Sequence, residues 1–294
     1  MKINNKLGLP QPFISAVESD YIYTDKRYSV TQILKGVREL LLLRRHNDEI
    51  EQDVSDMIWL IFGNAVHSIL ENSQETDYQL KETSIYYTLP NGYTLSGRQD
   101  LYDEKLKRIT DYKTGTVYKI IYNDWEDYRK QCLMYALIMK KLGFECDNAD
   151  IVLILKDFSN TKSTFDSNYP DHPVYIKHFD FTDNDFKEIE SFIDKRFEEI
   201  IKAESLTDED LPLCTPEERW AKPTTFAIIK KGNKTATKVC SSIEEAESLI
   251  NEKYGNAYEI VERPGKDAKC ENYCSACKFC KYYQENYENE IKTE

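Results

Sequence analysis

Two short acidic segments are the parts of this chain best suited to chemistry. Gly97-Arg98-Gln99-Asp100 and Asp111-Tyr112-Lys113-Thr114-Gly115 both fall where apolar and polar residues alternate with period two. If they are successive strands joined by a two-residue turn at Lys105-Leu106, Asp100 lies opposite Asp111. Lys113 then projects from the same face as Asp111. Like charges directly opposed destabilise a sheet. A bound cation removes that penalty, and hard oxygen ligands suit Mg2+ or Mn2+. A lysine beside such a cation can orient water and offset charge on a phosphate in its transition state. Upstream, Gly63-Asn64-Ala65-Val66-His67 reads as helix, with Gly63 and His67 on one face. The glycine would admit another backbone, and His67 is a candidate further ligand. Each signal is weak by itself: Asp-x-Lys is common on exposed strands, and a lone helical histidine is more often a core or surface residue.

The cysteines are the second chemical feature. Cys270, Cys274, Cys277 and Cys280 fill an 11-residue window, where an even spread of eight cysteines over 294 residues would place fewer than one. In an intracellular chain such a cluster points to metal before disulfides. Thiolates of this number serve zinc or a [4Fe-4S] cluster alike. A third feature is basic. Lys230, Lys231, Lys234 and Lys238 lie within nine residues that carry no acid, in a chain of net charge −13. They form either a solvated hairpin tip or a contact to a DNA backbone.

The elements that must position these groups follow from pattern. Ser29-Val30-Thr31-Gln32 has the form of a capping box and opens a helix to about Arg45. A second helix over 53–73 has an apolar face of Met57, Leu60, Ile61, Val66, Ile69 and Leu70. Strands follow at 83–89, 93–103 and 108–114, the first two joined by a tight turn at Asn91-Gly92. Residues 118–143 return to helix, with Ile121, Trp125, Tyr128, Tyr135, Ile138, Met139 and Leu142 on the buried side. Strands at 149–156 and 173–179 and a helix at 182–204 complete an α/β body in which helices cover a small mixed sheet. From Leu211 the texture changes. Strands at 224–230 and 235–240, a helix at 241–252 and a strand at 257–262 make a ββαβ unit, followed by the cysteines and a polar tail. The expected division is 1–213 and 214–294.

Composition excludes several classes. At 40% hydrophobic and 31% charged residues the chain can build a core and is not wholly disordered. Its longest apolar runs, Leu40–Leu43 and Ile151–Leu155, fall far short of the ~20 residues that span a bilayer. MKINNKLGLPQPF lacks the apolar centre of a signal peptide, so the expectation is a soluble, cytoplasmic protein without membrane contact. The negative charge argues against non-specific nucleic-acid binding, but not against a local basic groove or an acidic metal site facing phosphates.

Taken in order, Gly-x-x-x-His on a helix, Gly-x-x-Asp, Asp-x-Lys across one hairpin, and Gln131-x-x-x-Tyr135 on the next helix resemble the PD-(D/E)XK nuclease superfamily. The branch is the RecB-like one, with the CRISPR-adaptation exonucleases and phage-encoded relatives. The resemblance covers about residues 29–156 plus the terminal cysteines. It implies a restriction-endonuclease-like core. His67, Asp100, Asp111 and the Tyr112 carbonyl would be ligands of Mg2+ or Mn2+, and Lys113 the catalytic lysine. Gln131 and Tyr135 would lie next to the site and the DNA, and Glu82 would be an outer acidic residue. Asp111 stands where relatives carry Asp or Glu. The implied activity is metal-assisted hydrolysis of DNA from its ends, with DNA and a recombination or single-strand-binding protein as partners. A structure-specific endonuclease or nickase, or a non-catalytic DNA-end-binding subunit, are the alternatives.

The resemblance also bears on the cysteines. Cluster-bearing relatives place three after the core, the last two separated as Cys274 and Cys280 are. Their first ligand usually precedes the core, but this chain has no cysteine before Cys132. Cys214 is the substitute candidate. The implied set is Cys214, Cys270, Cys274 and Cys280 around a structural [4Fe-4S] cluster, with Cys277 as rival for one place and zinc as the alternative metal.

Overall fold

Ser29 accepts a hydrogen bond from Gln32 N, and the Gln32 side chain takes the Ser29 N–H, closing the expected capping box. In the computed structural model, which describes residues 1–18, 23–74 and 76–288, the helix it opens is not continuous. It lasts one turn, Val30–Ile33, and restarts after Gly36 as α1, Val37–Arg45. The break has a steric use. A Cβ on Gly36 would stand 2.8 Å from Cys214 Sγ and 2.7 Å from Glu218 Oε2, so only glycine admits that later segment.

α2, Ile58–Glu71, follows a tight helical turn at Val54–Met57 that Asp53 caps through Ser55 N. Its expected apolar face is only partly covered, with Met57 of the preceding turn buried and Ile61, Val66 and Leu70 half-buried. Leu60 and Ile69 are exposed, and no residue of the helix is fully buried.

Six strands form the central mixed sheet: β1 Arg27–Ser29, β2 Gln79–Thr88, β3 Thr94–Asp103, β4 Arg108–Gly115, β5 Asn148–Leu155 and β6 Val174–Asp180. β2 runs antiparallel along all of β3. The other edge of β3 is shared. β1 pairs with Thr94–Ser96 in parallel, and β4 pairs with Leu101–Asp103 antiparallel. Between those two partners Gly97–Asp100 is left without a ladder on that edge. β4 and β5 pair in parallel from Arg108↔Asn148 to Gly115↔Leu155, and β6 closes the far side antiparallel. The β3–β4 register places Leu101 against Thr110, as the sequence pattern predicts. The turn has four residues rather than two: Asp103 Oδ1 accepts from Leu106 N, and Lys107 takes a left-handed backbone at φ 51°.

α3, Glu126–Lys141, lies across the sheet and is buried continuously from Gln131 to Met139. The single helix expected over 118–143 is interrupted. A first turn, Tyr118–Ile121, ends where Asn123 adopts φ 49°, and α3 restarts after Trp125. Ile121 and Leu142 lie outside the buried stretch and are exposed. α4, Asp183–Glu204, is opened by a capping box at Thr182 and packs on α1 and α3.

Residues 225–263 carry their own small core of Ile228, Cys240 and Ala246. There β7, Thr225–Lys230, runs between β8, Ala236–Cys240, and β9, Tyr258–Arg263, with α5, Ile243–Leu249, on the sheet. Two antiparallel rungs, Ala221↔Asp267 and Lys222↔Lys266, close its base. The cysteine-bearing stretch then returns to the main body. Cys274, Phe279 and Cys280 pack on the main core, Phe279 stacks on His46 at 4.0 Å, and Lys269 pairs with Glu39 at 2.6 Å. Among the described residues no helix is long and apolar enough to cross a membrane.

Candidate metal centre

The unladdered edge of β3 is where the acidic residues gather. With no strand opposite it, Asp100 turns its carboxylate to the backbone of β4, and Oδ2 accepts from Tyr112 N at 2.6 Å. Asp100 and Asp111 are therefore not a ladder pair. The ladder stops at Leu101↔Thr110, and the Asp100 side chain stands in for the missing backbone acceptor. A cleft lined by Arg27, Ser29, Ser84, Gly97, Arg98 and Tyr135 opens beside this gap.

The like-charge opposition predicted for Asp100 and Asp111 exists instead across β2–β3. Lys81 pairs with Leu101 and Thr83 with Gln99, so Glu82 falls opposite Asp100. Glu82 sits at φ 46°, a left-handed conformation that costs a non-glycine residue on the order of 1–3 kcal/mol and is concentrated at functional sites. His67 of α2 reaches into the same place, with Nδ1 3.4 Å from Asp100 Oδ1 and 3.5 Å from Glu82 Oε1. The ligand atoms of His67, Glu82 and Asp100 all lie within 4.8 Å of one another. Arg98 holds Glu82 from outside, with Nε 2.8 Å from Oε2, and pairs with Glu71 at 3.0 Å. Gly63 is on the same face of α2 as His67, but the room it leaves is not needed: a Cβ there would meet only Thr114 Oγ1, at 3.7 Å.

Asp111 and Lys113 form the second half of the site. Alternation along β4 puts them on one face, and their charges meet at 2.7 Å. Asp111 is 2% exposed. The Gln131 amide donates to Asp111 Oδ1 at 3.3 Å and to Tyr135 Oη at 2.9 Å, so one side chain of α3 ties both together. Asp111 Oδ2 is buried and receives no aligned hydrogen bond, although the Lys113 ammonium is beside it. Tyr112, between them, gives its N–H to Asp100 and sets its ring edge-on to His67.

Gly97 has a definite steric role here. A Cβ on it would come 2.6 and 2.8 Å from two ring carbons of Tyr135. Gly97→Ala is expected to displace that ring and break its bond to Gln131, at a cost of about 1–3 kcal/mol. Denaturant titration checks this. In the Tyr135→Ala background the alanine should add little further loss, because the obstacle is gone.

Burial sets the electrostatics. It raises the Asp111 pKa; Lys113 opposes this, Asp100 reinforces it, and the net shift is upward. Burial disfavours the Lys113 cation, but Asp111 more than reverses the effect and holds the ammonium protonated. The Asp100 hydrogen bond raises His67 against burial, and burial together with Asp100 raises Glu82. Three carboxylates thus crowd a site whose cations are Lys113, His67 and, from outside, Arg98. An imidazole nitrogen and carboxylate oxygens, one of them buried without a donor, are a donor set that fits Mg2+ or Mn2+. The structure brings together His67, Asp100 and, beyond its expected outer place, Glu82. Asp111 and Lys113 stand alongside, held by Gln131 and Tyr135. The opposition of Glu82 and Asp100 follows from the connection Leu89–Tyr93, which sets Thr88 against Thr94, in keeping with strands at 83–89 and 93–103.

The cysteines also converge, at the first turn of α1. The Glu39 backbone acts on the Cys214 thiol, lowering its pKa against burial, and Arg38 Nη1 lies 3.9 Å from Cys280 Sγ. The buried Arg38 guanidinium also donates to the carbonyls of Glu209, Leu211 and Pro212, fixing the approach to Cys214. Burial pushes the Cys214 thiol up to about 11, and those of Cys270 and Cys274 up to about 12. Neighbouring thiols add to each shift: Cys214 and Cys280 act on Cys270, and Cys277 and Cys270 on Cys274. Among the described residues no three cysteine sulfurs lie within 4.8 Å of one another. Half-buried thiols, with Cys214 and Cys280 beside the first turn of α1 and its Arg38 guanidinium, are of a chemistry that fits an anionic thiolate-ligated metal group.

No family model matches this chain, and no curated protein does. Solved structures give partial likenesses. A protein named SSO0001 is 13% identical, with 61% of this chain and 79% of that one covered and a TM-score of 0.45. An alkaline exonuclease (LHK-Exo) from Laribacter hongkongensis is 13% identical over 60% of this chain and 89% of its own, with a TM-score of 0.38. A phage-related exonuclease from Haemophilus somnus is 15% identical over 57% and 82%, with a TM-score of 0.32. Likeness of this degree leaves the functional reading to the geometry of the site itself.

Proposed function

We propose that this chain is a divalent-cation-dependent deoxyribonuclease that hydrolyses DNA from its ends. The observation that carries the reading is the meeting of His67, Glu82 and Asp100 within 4.8 Å, beside the buried Asp111–Lys113 pair. His67, Asp100, Asp111 and the Tyr112 carbonyl would hold the cation, with Glu82 adjoining. When bound, Mg2+ or Mn2+ supplies Lewis acidity toward a phosphodiester and activates water. The chain's own groups do the rest. Gln131 fixes one oxygen of Asp111, and the other pairs with the Lys113 ammonium. Lys113, kept protonated by Asp111, presents positive charge where a phosphate gains negative charge. Tyr135 braces Gln131.

The preference for ends comes from the motif resemblance. In the same reading residues 1–213 form the catalytic body. Cys214, Cys270, Cys274 and Cys280 would hold a structural [4Fe-4S] cluster, with Cys277 as rival. The motif resemblance, rather than sulfur spacing, favours iron over zinc, since four thiolates serve either. The exposed Lys230, Lys231, Lys234 and Lys238 would then be a backbone contact, each lost lysine lowering the salt slope of DNA binding by about 0.7–0.9.

The deciding experiment compares linear duplex with covalently closed circular DNA, with Mg2+ or Mn2+ and with EDTA. Loss of the linear DNA alone, dependent on the cation, is expected. Cutting of the circle would make the enzyme an endonuclease, and survival of both would make it a binding subunit.

A further inference from the structure

Beyond the metal centre, the carboxyl ends of β4 and β5 carry a rim of open aromatic side chains. Trp59, Gly63 and His67 follow one another at i, i+4 and i+8, a single stripe of α2. His67 meets Asp100, and Trp59 stands about 12 Å further along the helix axis. Trp59 is 57% exposed, with Phe62 edge-on to it at 6.2 Å. Lys156 Nζ lies 4.0 Å from its ring centre, and Lys156 N donates to Gly115 O, two residues past Lys113.

The neighbouring residue fixes the other half of the rim. Asp157 Oδ1 accepts from Val117 N at 2.9 Å and so places the turn that begins at Tyr118. Tyr118 and Tyr122 stack on each other at 5.7 Å with 19° between their planes, yet are 55% and 73% exposed. Lys119, between them in sequence, sits over the Tyr128 ring at 4.3 Å, and Lys113 is 5.4 Å from the same ring. Both aromatic pairs are thus anchored through adjacent residues, Lys156 and Asp157, at one mouth of the site.

A single exposed aromatic needs no explanation. Two pairs interleaved with lysines, at the mouth of an acidic site in a chain of net charge −13, form a chemical pattern. Flat π faces beside cations take stacked bases with phosphates alongside, and they do so without sequence preference. We propose that this rim is a stacking platform for single-stranded nucleic acid, so that the strand entering the metal centre is single or frayed rather than a flush duplex. The assignment of that strand as substrate rests on the nuclease reading; its binding does not.

Binding in EDTA separates the two. The probes are fluorescein-labelled oligo(dT) of about 20 nucleotides and a blunt duplex of the same length, read by anisotropy. Trp59→Ala, and Tyr118→Ala with Tyr122→Ala, are expected to weaken oligo(dT) binding about tenfold or more, with duplex binding within about twofold. Trp59→Phe, and Tyr118→Phe with Tyr122→Phe, should retain it, because a ring remains. Alanine variants that bind oligo(dT) like the parent would overturn the platform and leave the rim to a protein partner. Equal loss on both probes, or phenylalanine variants as weak as alanine, would overturn it too. A chain that loses oligo(dT) as expected yet leaves DNA intact with Mg2+ supports the platform and removes the nuclease reading alone.

Discussion

Asp111→Ala and Lys113→Ala are each expected to reduce DNA cleavage by about 10³-fold or more, equivalent to at least about 4 kcal/mol of transition-state stabilisation. Asp111 is the least exposed acid of the site, has one oxygen free of aligned donors, and is held from α3 by Gln131. Lys113 is its ion-pair partner and the cation nearest the proposed phosphate. Removing either leaves a buried charge without its counterpart, which destabilises a protein by about 3–5 kcal/mol when burial is complete. Asp111→Ala leaves Lys113, which keeps some solvent contact, so the smaller part of that range applies to it; Lys113→Ala leaves the more deeply buried Asp111. Stability must therefore be measured beside activity. The double variant Asp111→Asn with Lys113→Met removes both charges and keeps the shapes, so it should melt closer to the parent than either alanine variant. It should be as inactive as each, since groups that act together are not additive. Near-normal cleavage by any of the three would show that the site is elsewhere.

The same pair shows what could be read before the structure. Asp111 and Lys113 share a strand, so alternation alone puts them on one face, and Gln131 and Tyr135 share a helix face one turn apart. These relations are local, and the structure has them as expected. Relations between segments were legible only where a turn left no choice. The β3–β4 register was found despite a wrong turn length, because lengthening a loop by one residue at each end leaves the pairing unchanged. On β2–β3 the connection Leu89–Tyr93 brings Glu82 opposite Asp100 on one edge of β3, while on the other edge the ladder ends before Asp100 meets Asp111. The fork in β3 was not legible, because one strand edge had to be divided between β1, far upstream, and β4. Helix breaks at Gly36 and Asn123 were also missed. The first depends on a contact with Cys214 across the fold, the second on a backbone conformation that propensity does not foresee.

Protein purified without oxygen is expected to be brown, with broad absorbance near about 400 nm and about four irons per chain. The cysteine-bearing segment needs such an anchor more than its other contacts suggest. It re-enters the main body through two ladder rungs and is then held by the Lys269–Glu39 pair, the His46–Phe279 stack and one Gln52–Ser275 hydrogen bond. Contacts of this kind contribute on the order of 1 kcal/mol each. Closing the chain from Cys214 to Cys270 through a shared metal group adds several kcal/mol, because the unfolded chain loses that loop's freedom. Two neighbours also favour it: the Arg38 guanidinium lies beside Cys280, and the Glu39 backbone offsets burial at Cys214. Burial opposes it at Cys270 and Cys274, whose thiols it raises to about 12, so metal binding there must displace their protons. Cys214→Ala and Cys280→Ala should each lose iron and lower the melting temperature, and Cys277→Ala should keep both if it is only a neighbour. Iron lost from Cys277→Ala and retained in one of the other variants would exchange their roles. Colourless protein carrying one zinc would reject iron and keep the ligands, and metal-free protein that melts as cooperatively as the loaded form would reject the anchor altogether.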